Sequence, residues 1–198
     1  VSVREDETEV PALFSLSEAS YDGERCIQII IRPEQNNAEL EEKLKEMSKI
    51  DLLTGLYNRQ HFMEQLHAAK ESALNNQKQS ALFYLALDRF HQLKADLGIA
   101  DADVVLRDLA HYLNEQTSEE FTLARLSDDV FGLIAPTKNV DLALEEGERY
   151  RSLIEHHLFE VEGKTIQITL SIGTTIITDN APNIKDILGR AQIASENI

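Results

Sequence analysis

"ARLSDDVFGLI", Ala124 to Ile134, is the stretch on which the fold turns. Two short apolar runs flank the acidic segment Ser127-Asp128-Asp129-Val130, the pattern of two antiparallel strands joined by a tight turn. Carboxylates at such a tip can hold a divalent ion and start phosphoryl chemistry, or they can be polar turn residues and nothing more. The segments on either side bear on the choice.

Upstream, "SALFYLAL", Ser80 to Leu87, is a nearly unbroken apolar run, as expected of a strand covered on both faces. The helix before it has Asn58 as its expected N-cap and an inward stripe of Phe62, Met63, Leu66, Ala69 and Ala73. A short helix follows over 90–97, closed by Gly98. A longer one after Asp101 places Val105, Leu106, Leu109, Ala110 and Leu113 on one face. Downstream of the hairpin, "VDLALEEGERYRSLIEHHL" predicts a helix with Leu142, Tyr150, Leu153, Ile154 and Leu158 inward. Strands over 159–162 and 165–177 pair through Gly163, the second alternating through Ile166, Ile168, Leu170, Ile172 and Ile176. A last helix starts near Asn183, buries Ile184, Ile187, Leu188 and Ala191, and runs to the chain's end, as expected of a piece of a longer chain.

From Asp51 the order is α, β, α, α, β, β, α, β, β, α. That is an α+β fold of the ferredoxin-like split βαβ kind, a palm-like and mostly antiparallel sheet flanked by helices. In such palms the end of the first strand and the neighbouring hairpin tip converge, here residues 86–88 and 127–130.

The first third reads differently. "ALFSLSEASYDGERCIQIIIRP" holds two strands about the Asp22-Gly23 turn, with Pro33 ending the second. An isolated hairpin is marginal in water, so these strands are expected to belong to a larger sheet. In "NNAELEEKLKEMSKID", Leu40, Leu44 and Met47 form a narrow helical seam. It suits a homodimer through this connector helix, and nearly as well a helix docked on its own domain.

The formal charge of −16, without a basic run, argues against nucleic acid and anionic membrane surfaces as partners. The single Cys26 rules out an internal disulfide and fits a reducing compartment. With no apolar run of about 18 residues, no membrane insertion is expected, and the localisation predicted is cytoplasmic.

"DLLTGLYNRQHF", "LALDRFHQLKADLGIADADVVL", "RLSDDVF" and "LSIGTTI" resemble, in this order, four motifs of the GGDEF (diguanylate cyclase) family. The likeness runs from Asp51 nearly to the end. "LSEASYDGERCIQIIIR" resembles the last hairpin of a PAS domain. The organisation implied is the C-terminal end of a PAS domain over 1–35, a connector helix over 36–50 and a GGDEF domain over 51–198 with its last helix truncated. The whole is similar to FimX-type PAS–GGDEF–EAL regulators of bacterial type IV pili and twitching motility.

The family makes cyclic di-GMP from two GTP molecules, and the resemblance assigns roles residue by residue. The metal-binding first acid of the family's Asp-x-Asp falls on Ala86, which has no oxygen to offer, and the second on Asp88. The phosphate-contacting Lys falls on His91. The guanine-binding Asn falls on Lys94, a donor only. The other guanine contact is kept as Asp103. The two glycines of the hairpin fall on Ser127 and Asp128, the metal-binding acid is kept as Asp129, and the next acid falls on Val130. Phe131 anchors the strand. The family's inhibitory site, Arg-x-x-Asp, falls on Ser118-Glu119-Glu120-Phe121, where the clamping arginine is gone.

From these losses a degenerate domain is expected: no enzymatic activity, no cofactor or resident metal, and no product inhibition. It would relay the state of the PAS portion to a following EAL-type domain or a protein partner. Two other readings are an allosteric site for GTP or another nucleotide, with His91, Lys94, Asp103 and 127–130 as its remnant, and a working cyclase using Asp88 and Asp129. In structural terms, Asp128 and Asp129 are turn residues and Asp88 is the N-cap of the short helix. Asp103 is then an acid in the first turn of its helix. His156 and His157 point to different faces, and Arg59 pairs with Asp51.

Overall fold

The computed structural model describes residues 2–5, 8–21, 23–33, 37–76, 78–181 and 183–196, with side chains described at 12, 14–21, 23–31 and from 42 onward. Contacts divide the chain into two units, Val1–Ser48 and Lys49–Ile198.

In the first unit β1 (Ser2–Glu5), β2 (Thr8–Tyr21) and β3 (Glu24–Pro33) form an antiparallel sheet in that order. The long β2–β3 hairpin pairs Tyr21 with Glu24 next to Gly23, whose φ of 84° is the left-handed turn conformation that a side chain disfavours. Asp22 lies outside the described residues. Phe14 faces Ile31 and Leu16 faces Ile29 in register, and with Ile27 they line one face of the sheet that is exposed throughout. Helix α1 (Asn37–Met47) follows, with Leu44 and Met47 exposed; the side chain of Leu40 lies outside the described residues.

The second unit runs β4 (Tyr57–Asn58), α2 (Arg59–Asn76), β5 (Ser80–Leu87), α3 (Phe90–Leu97), α4 (Ile99–Glu115), β6 (Thr122–Arg125) and β7 (Val130–Pro136). It continues with α5 (Val140–His156), β8 (Leu158–Val161), β9 (Lys164–Gln167), β10 (Leu170–Ile177) and α6 (Ile184–Glu196). Five strands make one sheet in the order β10-β5-β7-β6-β4, antiparallel except for the short β4–β6 pair. Helices cover both faces.

Strand β5 shows why the sheet lies at the centre. Ala81, Phe83, Leu85 and Leu87 enter one core with α4 and α5, while Leu82 enters the other with α2 and α6. Side chains alternate across a strand, so an unbroken apolar run needs cover on both sides. Asn58 caps α2 as expected, its Oδ1 accepting from the His61 amide at 3.0 Å. Glycine is required where α6 crosses β10: a Cβ on Gly173 would stand 1.8 Å from the Ala191 carbonyl oxygen.

Three expectations are corrected. Residues 165–177 are not one strand: β9 pairs with β8 in a separate two-stranded sheet, and the chain joins β5 only from Leu170. The apolar alternation carries across the break because Ile166, Ile168, Leu170 and Ile172 all face the same core. In α5 the inward face is Ala143, Gly147, Tyr150 and Ile154, and Leu142 is exposed. The helix approaches the sheet through its smallest residues, a Cβ on Gly147 meeting Phe83 and Thr174 at 3.5 Å, which turns the leucine outward. Leu158, at the edge of the β8–β9 hairpin, is exposed as well.

Candidate functional site

The site is built where β5 ends beside the β6–β7 hairpin. Ala86 lies opposite Val130 in register, and the Leu87 amide donates to the Asp129 carbonyl at 2.8 Å. The Leu126 amide reaches the Val130 carbonyl at 2.8 Å, closing the turn over 127–129. Phe131 is fully buried and anchors β7. Val130 is buried too, among Phe62, Leu66 and Leu126. It therefore belongs to the core and offers nothing to a ligand.

Arg125 braces the tip. Its Nε donates to the Ser127 carbonyl at 3.1 Å and its Nη2 to the Asp128 carbonyl at 3.2 Å. Its Nη1 donates to Asp51 Oδ1 at 3.5 Å. The expected pair of Arg59 with Asp51 is thus made by Arg125 instead, because β4 pairs beside β6 and brings the 51–58 turn against residue 125. Burial works against ionisation of Asp51. The Thr54 hydroxyl and amide, at 2.7 and 2.9 Å, and Arg125 outweigh it and hold the carboxyl below its ordinary pKa.

Lys94 reaches across from α3, its Nζ standing 3.2 Å from Asp128 Oδ2. His91 is exposed one turn earlier on the same helix. At the tip Ser127 Oγ donates to Asp129 Oδ1 at 3.2 Å. The structure thus brings Ala86, Lys94, Ser127, Asp128 and Asp129 together, while Asp103 makes no described contact with them.

Two acids take positions other than those expected. Asp88 does not cap α3, whose N-cap is Arg89 in the left-handed conformation. Its Oδ2 and Oδ1 accept the hydroxyls of Thr169 and Ser171 at 2.6 and 2.7 Å, and its amide donates to the Thr169 carbonyl at 3.0 Å. Asp88 therefore joins the end of β5 to the start of β10, with both oxygens engaged. Asp103 is the fifth residue of α4, beyond the first turn, and its carbonyl accepts from Arg107 Nε at 3.5 Å. His156 bonds the Ser152 carbonyl through Nδ1 at 2.8 Å, whereas His157 stacks on Tyr112 with centroids 3.9 Å apart.

One neighbour of the site was missed. Tyr84 lines a cavity of about 70 Å³ with Arg59, Ser127, Leu126 and Gln192. Burial, then the Asp129 and Glu196 carboxylates, push its phenol pKa up against the opposing Arg59. The signal available was the period of two, since Tyr84 precedes Ala86 on the same face of β5. Ser118 and Phe121, at the inhibitory-site positions, form a turn through the Phe121 amide and Ser118 carbonyl at 3.0 Å. Phe121 and Glu120 line a separate cavity of about 610 Å³ with Phe83, Leu142 and Arg149.

The donor set at the tip is the Asp129 carboxylate with the Ser127 hydroxyl beside it, the second carboxylate, Asp128, being paired with Lys94. A magnesium ion carried in by phosphates is held by one or two carboxylates, so this set fits such an ion at the minimum; Ala86 removes the second oxygen ligand a two-ion site needs. Among the described residues there is no group of three or more His, Cys, Asp or Glu suited to a metal. No helix of the described residues is long and apolar enough to cross a membrane.

A split βαβ palm with a braced acidic hairpin defines a nucleotidyl-cyclase-like domain. Residues 48–198 match the family described as diguanylate cyclase, GGDEF domain, and the chain belongs to that family. It is 30% identical over 166 residues to the probable diguanylate cyclase DgcE of Escherichia coli, covering 84% of this chain and 15% of that protein. It is 28% identical over 195 residues to the diguanylate cyclase TpbB of Pseudomonas aeruginosa, covering 96% and 45%. Among solved structures, the FimX GGDEF domain of P. aeruginosa is 35% identical with a TM-score of 0.72, over 76% of this chain and 93% of that one. The chain spans less than half the length of these two curated relatives. The expectation that the domain is no enzyme is overturned by these findings: several of the curated relatives it matches are named diguanylate cyclases.

Proposed function

We propose that this chain is a regulatory GGDEF domain of a cyclic di-GMP signalling protein, with a guanine nucleotide held in the cleft between α3 and the β6–β7 tip. The observation that carries the reading is the convergence of Lys94, Ser127, Asp128 and Asp129 at the end of β5, next to Ala86. Asp129 is the residue that would hold phosphate-bound magnesium, Lys94 and His91 would meet phosphate or base, and Asp103 would accept from the base. Bound magnesium would offset phosphate charge. The first unit holds the C-terminal end of a PAS domain, and its exposed apolar face supports the reading that the rest of that domain packs against it. Through α1 the state of that domain reaches the cleft and, beyond it, an EAL-type neighbour or a protein partner, as in FimX-type regulators.

Calorimetry with GTP, with and without magnesium, tests the reading. Binding strengthened by magnesium and lost in Asp129→Ala is expected; no heat up to about millimolar GTP, a Kd weaker than the roughly 4 kcal/mol scale of real sites, would end it. A second reading, favoured by the names of the relatives, is synthesis of cyclic di-GMP from GTP. It requires cyclic di-GMP among the products of the wild-type incubation and none from Asp129→Ala.

A further inference from the structure

A free aspartate at the hairpin tip stands where an anionic ligand arrives, and it repels that ligand at short range. Asp128 is not free. Its carboxylate is 78% exposed, yet it meets Lys94 Nζ at 3.2 Å, and Arg125 Nη2 lies 4.0 Å from its other oxygen. Arg125 holds the backbone carbonyls of Ser127 and Asp128, so the tip cannot swing away to avoid the contact. On the facing side Lys94 is two-thirds covered, and its ammonium lies 5.9 Å from the Phe90 ring centroid. Phe90 is itself buried, which fixes the base of α3. The pair therefore ties two separately anchored elements, α3 and the β6–β7 tip, together.

We propose that Lys94 and Asp128 form an electrostatic gate, and that a phosphate-bearing ligand enters by drawing Lys94 away from Asp128. The proposal rests on the reading of this cleft as a nucleotide site and adds what controls access to it. In the closed state the lysine neutralises the acid; in the open state it contacts phosphate, and Asp128 turns to water. Exposed ion pairs are weak and screened by salt, so the gate opens at little cost and more readily as ionic strength rises.

Hydrogen exchange at 127–129 and titration with GTP and with inorganic tripolyphosphate test the gate on the whole chain. Raising NaCl from about 0.05 to about 0.5 M should speed exchange at the tip more in the wild type than in Lys94→Met, where only the Arg125 pairs are left to screen. Asp128→Asn should bind both probes about fivefold more tightly, while Asp141→Asn, remote on α5, should not. Equal exchange in wild type and Lys94→Met at all salt concentrations overturns the gate, whatever GTP does. So does an Asp128→Asn that tightens neither probe. Tightening for tripolyphosphate with no GTP binding in any variant upholds the gate and defeats the guanine-nucleotide reading instead.

Discussion

Strands β3 and β5 are both rich in large apolar residues, and the fold treats them in opposite ways. In β5, Leu82, Phe83 and Leu85 are at most 1% exposed, because helices lie on both sides of the sheet. In β3, Ile27, Ile29 and Ile31 are all more than half exposed. The difference shows that an apolar strand reports a need for cover, while the supplier of that cover is a matter of tertiary structure. In this sense β5 is covered and the described face of β3 is exposed.

The strongest challenge to the comparison is Gly173→Val. With the Ala191 carbonyl 1.8 Å from the new Cβ, α6 must leave β10 and uncover Ile187 and Ala191. The loss expected in urea unfolding is about 5 kcal/mol or more, the whole stability of many domains. Phe83→Ala should cost about 4 kcal/mol by the same measurement, as for other fully buried rings. A loss under 1 kcal/mol would mean that β5 is not the shared wall of two cores.

Arg125→Met should cost about 1 kcal/mol, since two exposed tip carbonyls lose a donor and Asp51, still bonded to Thr54, loses its cation. Exchange at 127–129 should rise in the same variant. The pH dependence is smaller. Asp51 has its carboxyl pKa lowered by folding, so the stability it contributes is present above the unfolded value and lost as pH falls through the folded one. An acid titration below about pH 4 should show a step that Asp51→Asn lacks. The smallest effect belongs to Ile29→Ser, under about 0.5 kcal/mol in this chain. A cost approaching that of Phe83→Ala would show that the β3 face is covered after all, and the contrast would collapse.

Most of the second unit was legible because its signals are local. The unbroken run at 80–87, the acidic turn at 127–129 and the stripe on α4 each fix an element without reference to anything distant. What stayed hidden depends on approach distances and partners. Leu142 outweighs Ala143 on any hydropathy count, yet the small residues of α5 touch the sheet. Arg59 is eight residues from Asp51 and Arg125 is 74, and only the two-residue strand β4, too short to leave a period, brings the distant one to it. Asp88 reads as a helix cap from its neighbours, and the hydroxyls that claim it lie 81 and 83 residues away. At the site itself, the residue types at 86, 94 and 127–129 could be read directly, but the ion pair joining Lys94 to Asp128 could not.

The parallel pairing of Tyr57 and Asn58 with Ala124 and Arg125 has a mechanical meaning. The Asn58 amide is bonded to the Lys49 carbonyl at 2.7 Å, and Ile50 bridges Tyr57, so the first residues of the second unit are stitched to the strand that carries the tip. A pull or twist delivered at position 49 has only two hydrogen-bonded steps to travel before it moves Arg125. That makes β4 a short lever arm rather than a mere edge.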